Sequence, residues 1–310
     1  MNELKPINQT KLYGLNKFLD KFIRLYNDKE FPNKILLSGQ RGVGKSTLAY
    51  HFINYLLSKG QKYQYDLDNF EINVENQSYK TILNGSNPNF YNIDINSEKK
   101  FIDINQIREL ISKLNKSSFN NNPRFVLIDN IEFLNKNSIN ALLKTLEEPS
   151  LDIYFILIHS NKKILSTLLS RCINYKIYLS NKENFNIANK LLNGSLDKII
   201  NKDLLNYYSS AGDIYKIAKF AEQNNYDLSN KTLKDLLKIM IKENFYKKNN
   251  SVKSLIYDFI ELHLSKVNQS IYSPINDKYN YFLKRISDTK RFNLDEDSLF
   301  IEFEEELLNE

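Results

Sequence analysis

The chain is short of the residues that mark several protein classes. It has one cysteine in 310 residues, Cys172, which excludes internal disulfides and any zinc module built from several cysteines. Tryptophan is absent while Lys, Asn and Ile abound, a bias read as genomic and not as functional. No apolar run approaches the roughly 18 residues of a membrane span, and the opening stretch "MNELKPINQTKLYG" lacks the apolar core of a signal peptide. A cytoplasmic protein with no membrane partner is therefore expected. Between Asn293 and Glu310 any Lys or Arg is missing, whereas eight acidic residues are present. The rest of the chain then holds 43 basic side chains against 29 acidic ones, a balance of +14 within a total of +6. Such an excess suits contact with a polyanion, and it equally suits a solvated Lys-rich surface.

What is present is globular: 42% hydrophobic and 26% charged residues, over a length that fits one large domain or two to three small ones. "NKILLSG" (33–39) predicts a short buried strand, then a Gly-rich turn, then a helix over about 45–59 with Leu48, Phe52, Tyr55 and Leu56 at helical spacing. Residues 60–89 are poorly patterned and read as surface structure. "NFYNIDI" predicts a strand and "DINQIRELISKLNK" a helix with Ile104, Ile107, Leu110, Ile111 and Leu114 on one face. "RFVLID" and "DIYFILIH" are apolar runs of buried-strand length with a helix around "SINALLKTLEE" between them, and "INYKIYL" is a further strand. Strands alternating with helices, several apolar on both faces, predict a parallel sheet covered by helices on both sides. After about residue 180 the pattern turns helical, with breaks near Gly194 and at 227–230, and only the short "LFIEF" interrupts it.

"GQRGVGKS", Gly39 to Ser46, fits the phosphate-binding pattern G-x-x-x-x-G-K-[ST] and lies where it must, between a strand and a helix. Gly39, Gly42 and Gly44 allow backbone angles that turn successive N–H groups toward phosphate oxygens. Lys45 can reach the outer phosphates, the Ser46 hydroxyl can ligate Mg²⁺, and the following helix, which begins with Lys45, Ser46 and Thr47, adds its N-terminal partial charge. Asp129 ends the strand "FVLID" and can hold the Mg²⁺ shell through water. Asn130 follows it, and an amide oxygen is a poor proton acceptor. Glu132, two residues further on, reads as a solvated loop acid, with a substitute base as the lesser alternative. His159 reads as a hydrogen-bonded residue at a strand end, and Cys172 as a small buried residue.

With this loop, "ALLKTLEEP" (141–149) and "SRC" (170–172) in that order, the chain resembles bacterial clamp-loader subunits, the AAA+ proteins of the DNA polymerase III holoenzyme. The likeness covers residues 1 to about 180 by motif and the remainder by architecture. The cysteine-free stretch 60–89 is similar to the zinc-lacking delta prime branch, since motor subunits and many delta prime subunits carry a four-cysteine module there. The resemblance implies an α/β AAA+ P-loop domain over 1–180, a small helical lid over 181–228 and an all-helical collar over 229–310. ATP and Mg²⁺ are the implied cofactors, with no zinc. The implied binding residues are Gly39, Gly42, Gly44, Lys45, Ser46, Thr47 and Tyr13, with Ser46 and Asp129 toward the metal. Leu12, Tyr13 and Gly14 match the segment that lies over adenine, and core packing suits them equally. Ser160 falls near the family's γ-phosphate sensor.

In the family a Glu follows the Asp of the strand, and a Gly-x-x-Arg sensor occurs in the second domain. Here those places hold Asn130 and Tyr215, with Lys216 adjacent. Arg171 matches the arginine that projects into a neighbouring subunit's ATP site, with a structural ion pair as the alternative. The resemblance thus implies a delta prime subunit with little or no hydrolysis of its own, catalytic in trans through Arg171. Its partners would be motor (gamma/tau) and delta subunits in a hetero-pentamer, the sliding clamp and primer-template DNA, with Lys162 and Lys163 as candidate phosphate contacts. An active motor subunit of the same loader and an unrelated P-loop ATPase are the alternatives.

Overall fold

Alternate residues along the central strands go to opposite sides, as strand geometry requires, and this builds two cores on one sheet. The structure is a computed structural model that describes residues 4–95, 101–116, 120, 122–147, 152–160, 166–194, 196, 200–201, 204, 210–248, 250–267, 275–292 and 294–308. Five strands, β1 (Lys34–Ser38), β2 (Phe90–Ile93), β3 (Arg124–Ile128), β4 (Ile153–His159) and β5 (Ile173–Lys176), form a sheet in the order β2-β3-β4-β1-β5. Every pairing is parallel. Ile35 and Leu37 of β1, Phe125 and Leu127 of β3 and Ile156 and Ile158 of β4 join one core. Leu36, Val126, Ile128, Phe155 and Leu157 join the other.

The first core is closed by α1 (Asn16–Asn27), α2 (Lys45–Ser58) and α3 (Gln77–Leu83), which contribute among others Phe22, Phe52 and Tyr79. The second is closed by α4 (Ile104–Leu114), α5 (Lys136–Glu147) and the short α6 (Ser166–Leu169), through Ile107, Leu110, Leu142, Leu146 and Leu168. Helix α4 starts on a capping box, with Asp103 and Gln106 satisfying each other's backbone N–H groups. The stretch 60–89, expected at the surface, instead buries Tyr65, Ile72, Tyr79 and Ile82 in the first core. Its one helix, α3, begins at Asn76, whose side chain accepts from the Tyr79 N–H.

By its internal contacts the chain divides into residues 1–183 and 184–310. The described elements of the second unit are helices: α7 (Asn181–Leu191) leads into it, followed by α8 (Ala211–Gln223), α9 (Leu233–Lys242), α10 (Phe245–Lys248), α11 (Asn250–Val267), α12 (Ile275–Phe292) and α13 (Glu296–Phe303). One apolar cluster runs from Ala188 to Leu308, with Met240, Ile256, Phe282, Phe300 and Phe303 fully buried. The apolar run "LFIEF" is not a strand. It lies in α13, because Asp295 caps that helix by accepting from the backbone N–H groups of Asp297 and Ser298. Among the described residues no helix is long and apolar enough to cross a membrane.

Candidate functional site

The loop from Gly39 to Gly44 joins the C-terminal end of β1 to α2. Gly42 (φ 85°) and Gly44 (φ 95°) take left-handed angles that a side chain would strain. Gly39 is required by space as well. A Cβ there would stand 2.1 Å from the Ile177 carbonyl oxygen, at the end of β5. Gly44 is the N-cap of α2 and supplies no side-chain cap, so the first-turn N–H groups of α2 and its positive end face the loop.

Lys45 is buried, and its ammonium donates to the carbonyls of Gly39 (2.8 Å) and Gln40 (2.7 Å). Burial pulls its pKa down to about 8, against the opposing pull of the Asp129 and Glu132 carboxylates. The Ser46 hydroxyl donates to Asp129 Oδ2. Burial pushes the Asp129 pKa upward; the hydrogen bonds from Ser46 and the Asn130 N–H oppose that, while the charge of Asp94 adds to it. A hydroxyl and a carboxylate meeting beside a buried ammonium and a helix N-terminus suit a polyphosphate with its Mg²⁺, an ion that takes oxygen ligands. Thr47 follows on the first turn of α2, half-buried. Tyr13 lies on a segment that passes beside the loop. Its neighbour Leu12 donates to the Phe70 carbonyl at 3.0 Å, and a Cβ on Gly44 would come within 3.1 Å of Leu15 Cδ1.

The residue after Asp129 is held in an unusual way. Asn130 takes a left-handed conformation (φ 56°, ψ 46°). Its backbone N–H donates to Asp129 Oδ1 at 2.8 Å and its side-chain amide to Asp94 Oδ1 at 2.9 Å. Asp94 follows Ile93, and Asp129 follows Ile128, the residue paired with Ile93 across β2 and β3. Two acids thus stand side by side at the C-terminal edge of the sheet, Asp129 bonded by the backbone of Asn130 and Asp94 by its side chain. Sequence reasoning passed over Asp94. The signal was an acid ending the strand "NFYNID", but only the strand order makes it a neighbour of Asp129. Glu132 differs from expectation as well. It lies in a 3-10 turn, Ile131–Phe133, with Oε2 shut away from solvent and without a hydrogen-bond partner among the described residues.

The other candidates lie further along. His159 is buried and pairs across the sheet with Ser38, and Ser160 follows it, half-buried. Arg171 follows α6 and is about one-third exposed. Its Nη2 donates to Glu147 Oε1 at 2.7 Å and its Nη1 to the Thr167 carbonyl at 2.9 Å. Leu169 and Ile173 beside it are exposed, the latter on β5, an edge strand whose other side has no partner among the described residues. Burial pushes the Cys172 thiol up to about 11, which leaves it a poor nucleophile at neutral pH. Tyr215 and Lys216 belong to the helical unit. Tyr215 is buried there, and Lys216 pairs with Asp213 at 3.8 Å. Lys162, Lys163 and the Glu-Pro of "TLEEP" lie outside the described residues.

The family described as DNA polymerase III, delta subunit matches residues 14–180. A DNA polymerase III subunit delta' of Buchnera aphidicola (subsp. Schizaphis graminum) is 31% identical over 229 residues, 71% of this chain and 67% of that protein. The subunit gamma of the same organism is 31% identical over 243 residues, 74% of this chain and 63% of that one. The chain thus spans about two thirds of these relatives' length. Among solved structures, a DNA polymerase III gamma subunit-related protein of Thermotoga maritima superposes with a TM-score of 0.53 at 16% identity. That match covers 93% of this chain and 95% of the other and shows a shared fold.

Proposed function

This chain belongs to the clamp-loader family of DNA polymerase III subunits, and from that premise we propose that it acts as the delta prime subunit of a loader. In this reading it holds ATP and Mg²⁺ with little turnover and lends Arg171 to the ATP site of a neighbouring motor subunit. Asn130 carries the proposal. An amide engaged with Asp94 cannot take a proton from an attacking water as a Glu in its place would. The chain's own nucleotide would rest on the N–H groups of the glycine loop, with Lys45 on the outer phosphates, Ser46 and Asp129 toward the metal, and Tyr13 near the base. Bound Mg²⁺ would supply charge neutralisation of the phosphates.

Arg171 supports the trans role by its chemistry and its setting. A planar, permanently charged guanidinium stabilises charge on a transferring phosphoryl group, and this one sits at the surface between exposed apolar residues. The assembly in this reading is a hetero-pentamer with gamma/tau and delta subunits, acting in the cytoplasm on the sliding clamp and primer-template DNA. Residues 181–228 would form its lid and residues 229–310 its share of the collar. A motor role is the second reading, favoured by the equal identity to a gamma subunit.

ATP binding and turnover by the purified chain separate the two. The expected result is binding that Lys45→Ala weakens at least tenfold, with turnover near background. Brisk turnover abolished by Lys45→Ala would establish the motor role instead. Asn130→Glu alone should stay slow, because it sets a second carboxylate against Asp94. Pairing it with Asp94→Asn should raise turnover by about a hundredfold, the scale of general-base catalysis.

A further inference from the structure

Arg171 is braced before any neighbour arrives. Its backbone N–H donates to the Leu168 carbonyl at 3.2 Å, which fixes the start of the side chain to α6. Of the five N–H donors of a guanidinium, one goes to Glu147 Oε1 at 2.7 Å, one to the Thr167 carbonyl at 2.9 Å and one, weakly, to Ser170 Oγ at 3.5 Å. Among the described residues, no other acceptor takes the remaining two donors. The two strong anchors come from different elements, the last residue of α5 and the body of α6.

The carboxylate itself is rooted. Leu146, next to Glu147, is fully buried in the second core, as is Leu142 one turn before. Lys34 of β1 donates its ammonium to the Leu146 carbonyl at 3.0 Å, closing the C-terminal end of α5 on the sheet. Side chains near half exposure contribute little to stability through such a pair, so its worth lies in orientation. A long side chain with many rotamers is held by two anchors while about one-third of it stays exposed.

We propose that Glu147 is the positioning residue for Arg171, presenting the guanidinium to an anionic phosphoryl group on an adjacent subunit. The inference rests on the trans role of Arg171 argued above. Its test is ATP turnover by the loader reconstituted from this chain with motor and delta subunits, on clamp and primed DNA. Arg171→Ala should lower kcat about tenfold and Glu147→Ala about threefold, both at unchanged KM, as expected for interactions made in the transition state. Glu147→Asp should recover part of the loss, and the double variant should be no slower than Arg171→Ala alone. Assembly on size exclusion and the melting temperature should match the parent. If Arg171→Ala slows turnover while Glu147→Ala does not, or the two losses multiply in the double variant, positioning is wrong and the trans role stands. If Arg171→Ala is silent, the trans role falls and this inference with it. Should Glu147→Ala fail to assemble, Glu147→Gln, which keeps the shape and loses the charge, decides on the same criteria.

Discussion

The P-loop unit and the helical unit handle charge differently. Residues 1–183 carry 25 Lys and Arg against 18 Asp and Glu, and residues 184–310 carry 18 against 19. The excess of the whole chain thus belongs to the P-loop unit. In the helical unit the acidic end folds against basic helices, pairing Glu296 with Lys253 at 2.8 Å, Glu302 with Arg285 at 3.1 Å and Glu304 with Lys242 at 3.6 Å. The balance of +14 outside residues 293–310 is therefore not free for a polyanion, since part of it is cancelled inside the helical unit. One unit spends its polar groups on its own fold. The other concentrates buried charge, Lys45 and Asp129, at one end of a sheet, where hydrogen bonds from and to the glycine loop, Ser46 and Asn130 offset the cost of burial.

The sharpest way to break this comparison is to damage one unit and watch the other. Phe300 is fully buried and its ring lies 4.7 Å from that of Tyr246 and 5.1 Å from that of Tyr257. Phe300→Ala should cost about 3–5 kcal/mol in denaturant unfolding of the helical unit while nucleotide binding persists below the transition. Loss of both together would erase the distinction.

A slightly smaller effect should appear in the P-loop unit on acidification. His51 is fully buried, with Nε2 3.1 Å from the Gln9 carbonyl and Nδ1 2.8 Å from the Tyr65 hydroxyl. A carbonyl only accepts, so Nε2 bears the proton and Nδ1 accepts from Tyr65. Burial lowers the His51 pKa from 6.5 to about 4. Between those values the unfolded chain binds a proton that the folded one does not, so stability falls as pH drops through this window. The loss attributable to this side chain is about 3 kcal/mol, and His51→Gln should flatten the pH dependence measured by urea unfolding between pH 6.5 and 4. The smallest effect is expected from the charge pairs. Lys253→Ala should cost under about 1 kcal/mol, and a larger loss would mean that the ion pairs, not the apolar cluster, hold the helical unit.

Where a motif or a period spoke, the sequence was readable. The strand, glycine turn and helix over 34–58 follow from the phosphate-loop pattern, and the doubly buried strands β3 and β4 from their unbroken apolar runs. The stretch 60–89 was not readable, because its buried residues belong to no single element: Tyr65 and Ile72 lie outside any helix and Tyr79 and Ile82 on α3, yet all reach one core. "INYKIYL" read as a strand, and Ile173–Lys176 form one at the sheet edge, with Ile173 exposed. "LFIEF" was ambiguous, as short apolar runs are, and a single cap decided it. Asp94 was hidden for a topological reason. Contact between residues 94 and 130 depends on β2 lying beside β3, and no local pattern encodes strand order.

Gly39 has a consequence for how this loop drifts through descent. Its neighbour is the backbone carbonyl of Ile177, which no rotamer change can move aside, so the fold itself forbids a side chain at 39 whether or not a nucleotide is ever bound. Lys45 and Ser46 are under no such steric veto. In a lineage that gave up ATP, those two would be replaced first and Gly39 last. The loop therefore records its own history, and the lysine and serine, more than the glycine, are the positions at which a surviving nucleotide function is to be read.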